Sequence, residues 1–237
     1  MKPQIVMQEP GRHNANLDES AGRILRGHSW KKTRIIMVLP SADMLAAKVA
    51  LSMWNLIFPP NQGVVRMLAL GQEVGEAYSN CLEQILAHPE LSQWEYLLTI
   101  ESDNVPPNDG VLKLIEDMET HKELACIGGL YWTKGEGGVP QIWGDPKDPQ
   151  LNFRPQVPRA GELQECCGTG MGFNLFRLEM FKDKRIPKPW FKTKASKEGV
   201  GTQDLAFWTE ARKYGYRCAI DNRVLVGHYD LGADITW

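Results

Sequence analysis

The sequence predicts an α/β protein built on a mainly parallel central sheet. Three observations lead there. Short apolar runs of strand length alternate with segments whose apolar residues recur at helical spacing. Proline and glycine punctuate the joins between them. The order strand, helix, strand, helix, strand, helix, strand requires crossover connections, which bring each strand back parallel to the one before.

Residues 1–32 are polar and aperiodic and read as a loosely ordered leader, with a short helix near Glu19 to Leu25. Residues 33–237 read as a single domain. Arg34 to Leu39 is its first strand, ended by Pro40. Ser41 caps a segment, Asp43 to Ile57, with helical spacing, and Pro59-Pro60 forbids its continuation. Val64 to Leu70 is the second strand, Gly71 to Gly75 a turn, and Glu76 to Ala87 a helix closed by Pro89. Trp94 to Ile100 is the third strand, Asp109 to His121 a capped helix, and Leu124 to Trp132 a strand with Gly128-Gly129 inside it. Over 133–160 glycines and prolines become frequent, which predicts a long excursion across one face. Leu163 to Phe176 returns to strand texture. The stretch 177–199 is a basic, proline-interrupted loop. Thr202 to Tyr214 is an amphipathic helix ended by Gly215, Tyr216 to Val226 a last strand or two, and Gly227-His228-Tyr229-Asp230 begins the tail.

Composition excludes several classes. Hydrophobic residues at 43% and charged residues at 24% describe an ordinary globular chain with material for a core. A formal net charge of −2 argues against a globally basic nucleic-acid binder and leaves room for a local basic patch. No apolar run approaches the roughly 20 residues that span a bilayer, and Met1 to Gly27 has no signal-peptide core. A cytoplasmic protein without a membrane span is the expectation. The five cysteines, Cys81, Cys126, Cys166, Cys167 and Cys218, lack framework or zinc spacing and are expected to be free, buried thiols.

The third strand runs Tyr96-Leu97-Leu98-Thr99-Ile100 into Glu101-Ser102-Asp103-Asn104, and Pro106-Pro107 stops it. Ligands of open α/β sheets bind where such strands open into loops. Two carboxylates there suit a hard divalent cation, and that cation suits a diphosphate. A solvated strand end with a Ser-Asp-Asn turn accounts for the same residues.

Four pieces in order sharpen the reading. They are Glu101-Ser102-Asp103 after a strand, Gly168-Thr169-Gly170-Met171-Gly172-Phe173, Gln203-Asp204 opening a helix that ends in Lys213-Tyr214-Gly215-Tyr216, and Gly227-His228. From about Arg34 to Asp230 the chain resembles the GT-A fold nucleotide-sugar glycosyltransferases, most closely the family 2-like group. The resemblance implies a GT-A sandwich, nucleotide-diphospho-sugar transferase-like, and a glycosyltransferase that moves a sugar from a nucleotide-diphosphate donor to a hydroxyl acceptor. It implies Mn2+ or Mg2+ held by Asp103, His228 and Glu101, with Glu101 standing where an Asp is usual. Leu39, Pro40, Ser41 and Ser102 would meet the donor, a UDP- or GDP-linked sugar. Glu73 and the helix after it, with Tyr78 and Asn80, would flank the nucleotide. Gly170, Met171 and Gly172 would meet sugar or acceptor. By residue type Trp132 and Trp190 are candidates to stack on a sugar or base, with burial in the core as the competing role. Asp204 would be the general base in an inverting reaction, with Gln203 in place of the usual Glu.

Plainer roles suit the same residues. Asp204 and Thr202 also fit helix capping, a lone His is also a packing residue, and the glycines also suit a bulged strand. Between 177 and 197 eight basic residues, Arg177, Lys182, Lys184, Arg185, Lys188, Lys192, Lys194 and Lys197, face Glu179 and Asp183, an excess of six. The excess suits donor phosphates, a polyanionic acceptor such as nucleic acid, or solvent. A sugar-phosphate nucleotidyltransferase is the first alternative, although Leu39-Pro40-Ser41-Ala42-Asp43 lacks the glycine-rich basic loop it usually needs. A non-catalytic nucleotide-sugar binding module is the second.

Overall fold

The structure, a computed structural model, describes residues 22, 34–59, 63–196 and 199–237. The leader expected over 1–32 lies outside the described residues, residue 22 excepted. The first strand, β1 (Ile35–Ser41), is buried along its whole length. Alternation sends Ile36 and Val38 into one core and Ile35, Met37 and Leu39 into another. A strand with two apolar faces needs a layer on each side, and the helices supply them. Pro40 does not end β1. It lies within the strand, beyond the last pairing with β3, Val38–Thr99, where β2 is the one remaining neighbour.

The chain continues through helix α1 (Ala47–Trp54), edge strand β2 (Val64–Leu70), helix α2 (Val74–Ala87) and strand β3 (Tyr96–Ile100). A two-residue strand β4 (Asn104–Val105), helix α3 (Gly110–Thr120) and strand β5 (Cys126–Leu130) follow. The next strands are β6 (Ile142–Trp143), β7 (Leu163–Cys166), β8 (Gly168–Thr169) and β9 (Phe173–Arg177). A small hairpin, β10 (Lys194–Ser196) with β11 (Gly199–Gly201), leads to helix α4 (Gln203–Ala211). Strands β12 (Cys218–Leu225), β13 (Gly227–Asp230) and β14 (Ile235–Thr236) close the chain.

Seven strands form the central sheet in the order β2-β1-β3-β9-β5-β12-β7. Strands β2, β1, β3, β5 and β12 run one way, and β9 and β7 run against them. The sheet is thus mainly parallel, as alternation predicts. The antiparallel insertion of β9 between β3 and β5 is not written in the strand–helix order. Helices α2 and α4 cover one face through Tyr78, Leu82, Ile85, Phe207 and Trp208. Helix α3 covers the other through Val111, Leu114, Ile115 and Met118, with Met53 of α1 beside it.

Arg177 explains how β9 is held. Its guanidinium donates to the carbonyls of Met118 and His121 at the end of α3 and of Leu124 just beyond it. Gly128 of β5 is required at the β5–β9 pairing, because a Cβ there would lie 2.0 Å from Asn174 Oδ1. The excursion over 133–160 is pinned. Gln156 donates to the carbonyls of Gly144 and Glu165, and β6 pairs with β8. The expected tail at Gly227–Asp230 is a strand, paired with β4 on one side and β14 on the other. All five cysteines are buried and free. Among the described residues no helix is long and apolar enough to cross a membrane.

Candidate functional site

The C-terminal ends of β1 and β3 open together. Pro40, Ser41 and Ala42 after β1, Gln72 and Val74 at the start of α2, and Glu101, Ser102 and Asp103 after β3 line a cavity of about 290 Å³. Parallel neighbours put this edge where a sheet of this class accepts ligands.

Register brings in the distant histidine. Asn104 of β4 pairs with His228 of β13, and Tyr229 N donates to Asp103 O at 2.7 Å. The imidazole is therefore set beside the Asp103 carboxylate, with Nε2 3.4 Å from Oδ2. Nδ1 lies 2.7 Å from the Trp132 carbonyl. A carbonyl only accepts, so Nδ1 carries a proton and Nε2 is the atom turned to Asp103. Lys134 Nζ donates to the same Oδ2 at 2.6 Å. Burial pushes the Asp103 carboxyl up. The hydrogen bonds from His228 and Lys134 and their charges outweigh it and leave the group at about 2.

Glu101 faces a different surround. Its N–H donates to Gly172 O at 3.2 Å. Burial, then the charges of Asp103 and Asp204, push its carboxyl up to about 8. Two phenols share this space. Burial and the charge of Glu101 push both Tyr78 and Tyr131 upward. The Tyr131 hydroxyl accepts from Gly172 N at 2.9 Å, whereas the buried Tyr78 hydroxyl has no hydrogen-bond partner.

Asp204 sits in the first turn of α4, buried, after Thr202 at the N-cap. Its Oδ1 accepts from Leu205 N at 2.8 Å, so it does stabilise the helix start. Burial still holds its carboxyl above the usual range. The start of α4 abuts the start of α2. A Cβ on Gly75 would lie 3.2 Å from Gln203 Cβ, one residue from the cavity-lining Val74. Asp204 is also among the charges that act on Glu101 and Tyr131. Capping and service in the site are compatible roles for this side chain.

The donor set supports part of the expected cation site. Among the described residues no three His, Cys, Asp or Glu side chains come together to hold a metal ion. Asp103 and His228 do come together, with the second ring nitrogen fixed on a carbonyl, as metal-binding imidazoles usually are. Two protein ligands suffice for a cation that shares its shell with water and phosphate oxygens. Asp103 and His228 therefore fit the ion.

Several expected contacts are placed differently. The side chains of Leu39, Met171 and Trp190 are buried in the core. Leu39 is turned under the sheet by strand alternation. Trp190 lies against Phe181 and beneath Lys188, where it anchors the basic loop. Gly170 and Gly172 are small because Tyr131 takes the space. A Cβ on either would come within 2.6 Å of a Tyr131 ring or hydroxyl atom. Trp132 is half-buried and contributes its carbonyl to His228. Glu73 caps α2, accepting from Glu76 N and from Thr193 Oγ1 of the basic loop. In that loop Lys182 pairs with Glu179, Arg185 with Asp183 and Lys188 with Glu83, while Arg177 points inward. Lys134 and Tyr131 are the site residues that sequence reading missed. Lys134 is 31 positions from its partner, and nothing local ties the two.

No protein-family model matches the chain, and no curated protein matches it. Among solved structures it is similar to the crystal structure of A197 from STIV, with a TM-score of 0.58 and 15% sequence identity. The match covers 84% of this chain and 86% of that one. The likeness is one of fold.

Proposed function

We propose that this chain is a GT-A-type glycosyltransferase that moves a sugar from a nucleoside-diphosphate donor to a hydroxyl acceptor. One observation supports it above the others. Asp103 and His228, 125 positions apart in sequence, meet at 3.4 Å beside a cavity at the C-terminal ends of β1 and β3. Asp204 arrives from a third direction and acts electrostatically on Glu101. Ser41 and Ser102 lie in the cavity lining, where a donor's polar groups need partners.

On this reading Asp204 removes the proton of the acceptor hydroxyl as that oxygen attacks the anomeric carbon. The bond from that carbon to the diphosphate oxygen breaks, and its electron pair leaves with the nucleoside diphosphate. A carboxylate whose proton affinity is raised by burial is the better base. A divalent cation held by Asp103 and His228 would supply positive charge for the departing diphosphate. Glu101, held largely protonated near neutral pH, serves as a hydrogen-bond donor rather than as a counter-charge.

The test is hydrolysis and transfer from a panel of UDP- and GDP-sugars, with Mn2+ and with EDTA. Release of nucleoside diphosphate from at least one donor is expected, and Asp204→Asn should lower transfer about a hundredfold or more while donor binding persists. Donor binding with no turnover by the unaltered protein would leave a binding module. No binding of any donor would end the proposal.

A further inference from the structure

We propose that Lys134 is the resident counter-cation of Asp103 and competes with a divalent metal for the same carboxylate oxygen. Lys134 Nζ and His228 Nε2 both approach Asp103 Oδ2, at 2.6 and 3.4 Å. An ammonium at hydrogen-bond distance from a carboxylate oxygen takes the charge and the lone pair that a metal bound there would use. Placing a metal on that atom as well would set a divalent charge beside an ammonium, which repel each other strongly at a partly buried site. The two occupants of Oδ2 therefore exclude one another.

The segment that carries Lys134 is built for such an exchange. Thr133 N donates to Val139 O, and the Thr133 hydroxyl accepts from Val139 N, so the base of the turn is fixed. Between these anchors Gly135 and Gly137 both take positive φ, and neither would crowd a neighbour with a Cβ. The turn stands clear of the core at its tip while its base is tied. Lys134 is 33% exposed and Asp103 37%, so both ends of the pair open to solvent and to incoming ions. The plain alternative is a tether for the excursion. The excursion is already held by β6, Gln156 and the Trp132–Pro140 and Trp143–Pro155 bridges. Its hold does not depend on Lys134.

The inference concerns ion binding and does not need sugar transfer to be correct. The experiment uses Mn2+ alone as the probe, by calorimetry and by the electron spin resonance of free Mn2+. Removing the ammonium in Lys134→Ala should tighten Mn2+ binding about tenfold, and Lys134→Arg should leave it near the unaltered value. Adding Asp103→Asn to Lys134→Ala should abolish the gain. Mn2+ binding that is equal or weaker in Lys134→Ala would overturn the proposal, and so would a gain that survives Asp103→Asn. Thermal melts of each variant check that folding is intact. If the Mn2+ series behaves as expected and no donor sugar is hydrolysed, the competition stands and the transferase reading falls. Donor hydrolysis with no Lys134 effect on Mn2+ sinks the competition and keeps the transferase reading.

Discussion

Asp204 offers the most decisive test of any residue in the candidate site. Its first oxygen holds Leu205 N, so removing the carboxylate risks the helix start as well as chemistry. Asp204→Asn keeps an acceptor for that N–H and removes the base. On the proposed reading it should lower the transfer rate by about a hundredfold or more with an unchanged donor dissociation constant, measured by single-turnover transfer and donor titration. Glu101 carries a stability prediction with a definite sign. Its folded-state carboxyl titrates at about 8, above its ordinary value of 4.5. Between those values the unfolded chain has lost a proton that the folded chain keeps, so stability falls as pH rises through that window. Glu101→Gln removes the effect. Its melting temperature relative to the unaltered protein should therefore climb steadily from about pH 5 to about pH 8.5 and then level off. A flat difference across that range would show that Glu101 ionises normally.

At the scale of elements, the join between β9 and α3 governs whether the sheet closes around the site. Strand β9 is the antiparallel insertion, and Gly172 just before it binds both Glu101 and Tyr131 through its backbone. Arg177 at the far end of β9 is the bolt, donating to three carbonyls around the end of α3. Arg177→Met keeps much of the apolar stem and removes the donor to those carbonyls. It should cost about 2 kcal/mol, read as a lower urea midpoint with an unchanged slope. The pairing of β4 with β13 is a second such join. It turns the expected tail into the strand that carries His228 to Asp103. Two residues of β4 were too short a signal to read from pattern, because isolated pairs of extended residues have no period.

Over the whole molecule, each of the two cores draws on distant segments. The core under α3 joins that helix to Ile35 of β1, Leu98 of β3, Leu175 of β9 and Ala219 of β12. The core under α2 and α4 is centred on an aromatic cluster, Phe176, Phe181, Phe191, Phe207 and Trp208. Trp208 stacks on Phe176, and its Nε1 donates to Thr169 Oγ1 at 3.3 Å. Trp208→Ala should destabilise the fold by about 3–5 kcal/mol. Because α4 would lose its seat, donor turnover on the proposed reading should fall at temperatures well below the new melting point. The basic loop belongs to this core as well. Trp190 and Phe191 are its anchors, and three of its cations are paired. Nucleic-acid binding through the loop is therefore expected to be weak and to vanish by about 200 mM salt, as filter binding would report.

Residue chemistry by itself determined much of this protein. The strands at Ile35, Val64, Tyr96, Cys126 and Cys218, the helices between them, and a carboxylate pair at the end of β3 are all legible, because period and punctuation are local properties of a chain. The sequence also singled out Asp103, Asp204 and His228 as residue types that suit one chemistry. Tertiary structure alone ran β9 backwards between β3 and β5, raised the Glu101 carboxyl by burial, and seated Lys134 on Asp103. It also sent Leu39, Met171 and Trp190 inside. The physical reason is the same in each case. Strand order, burial and ion pairing are contacts between segments tens of residues apart, and their free energies depend on which neighbour arrives, which no local pattern encodes.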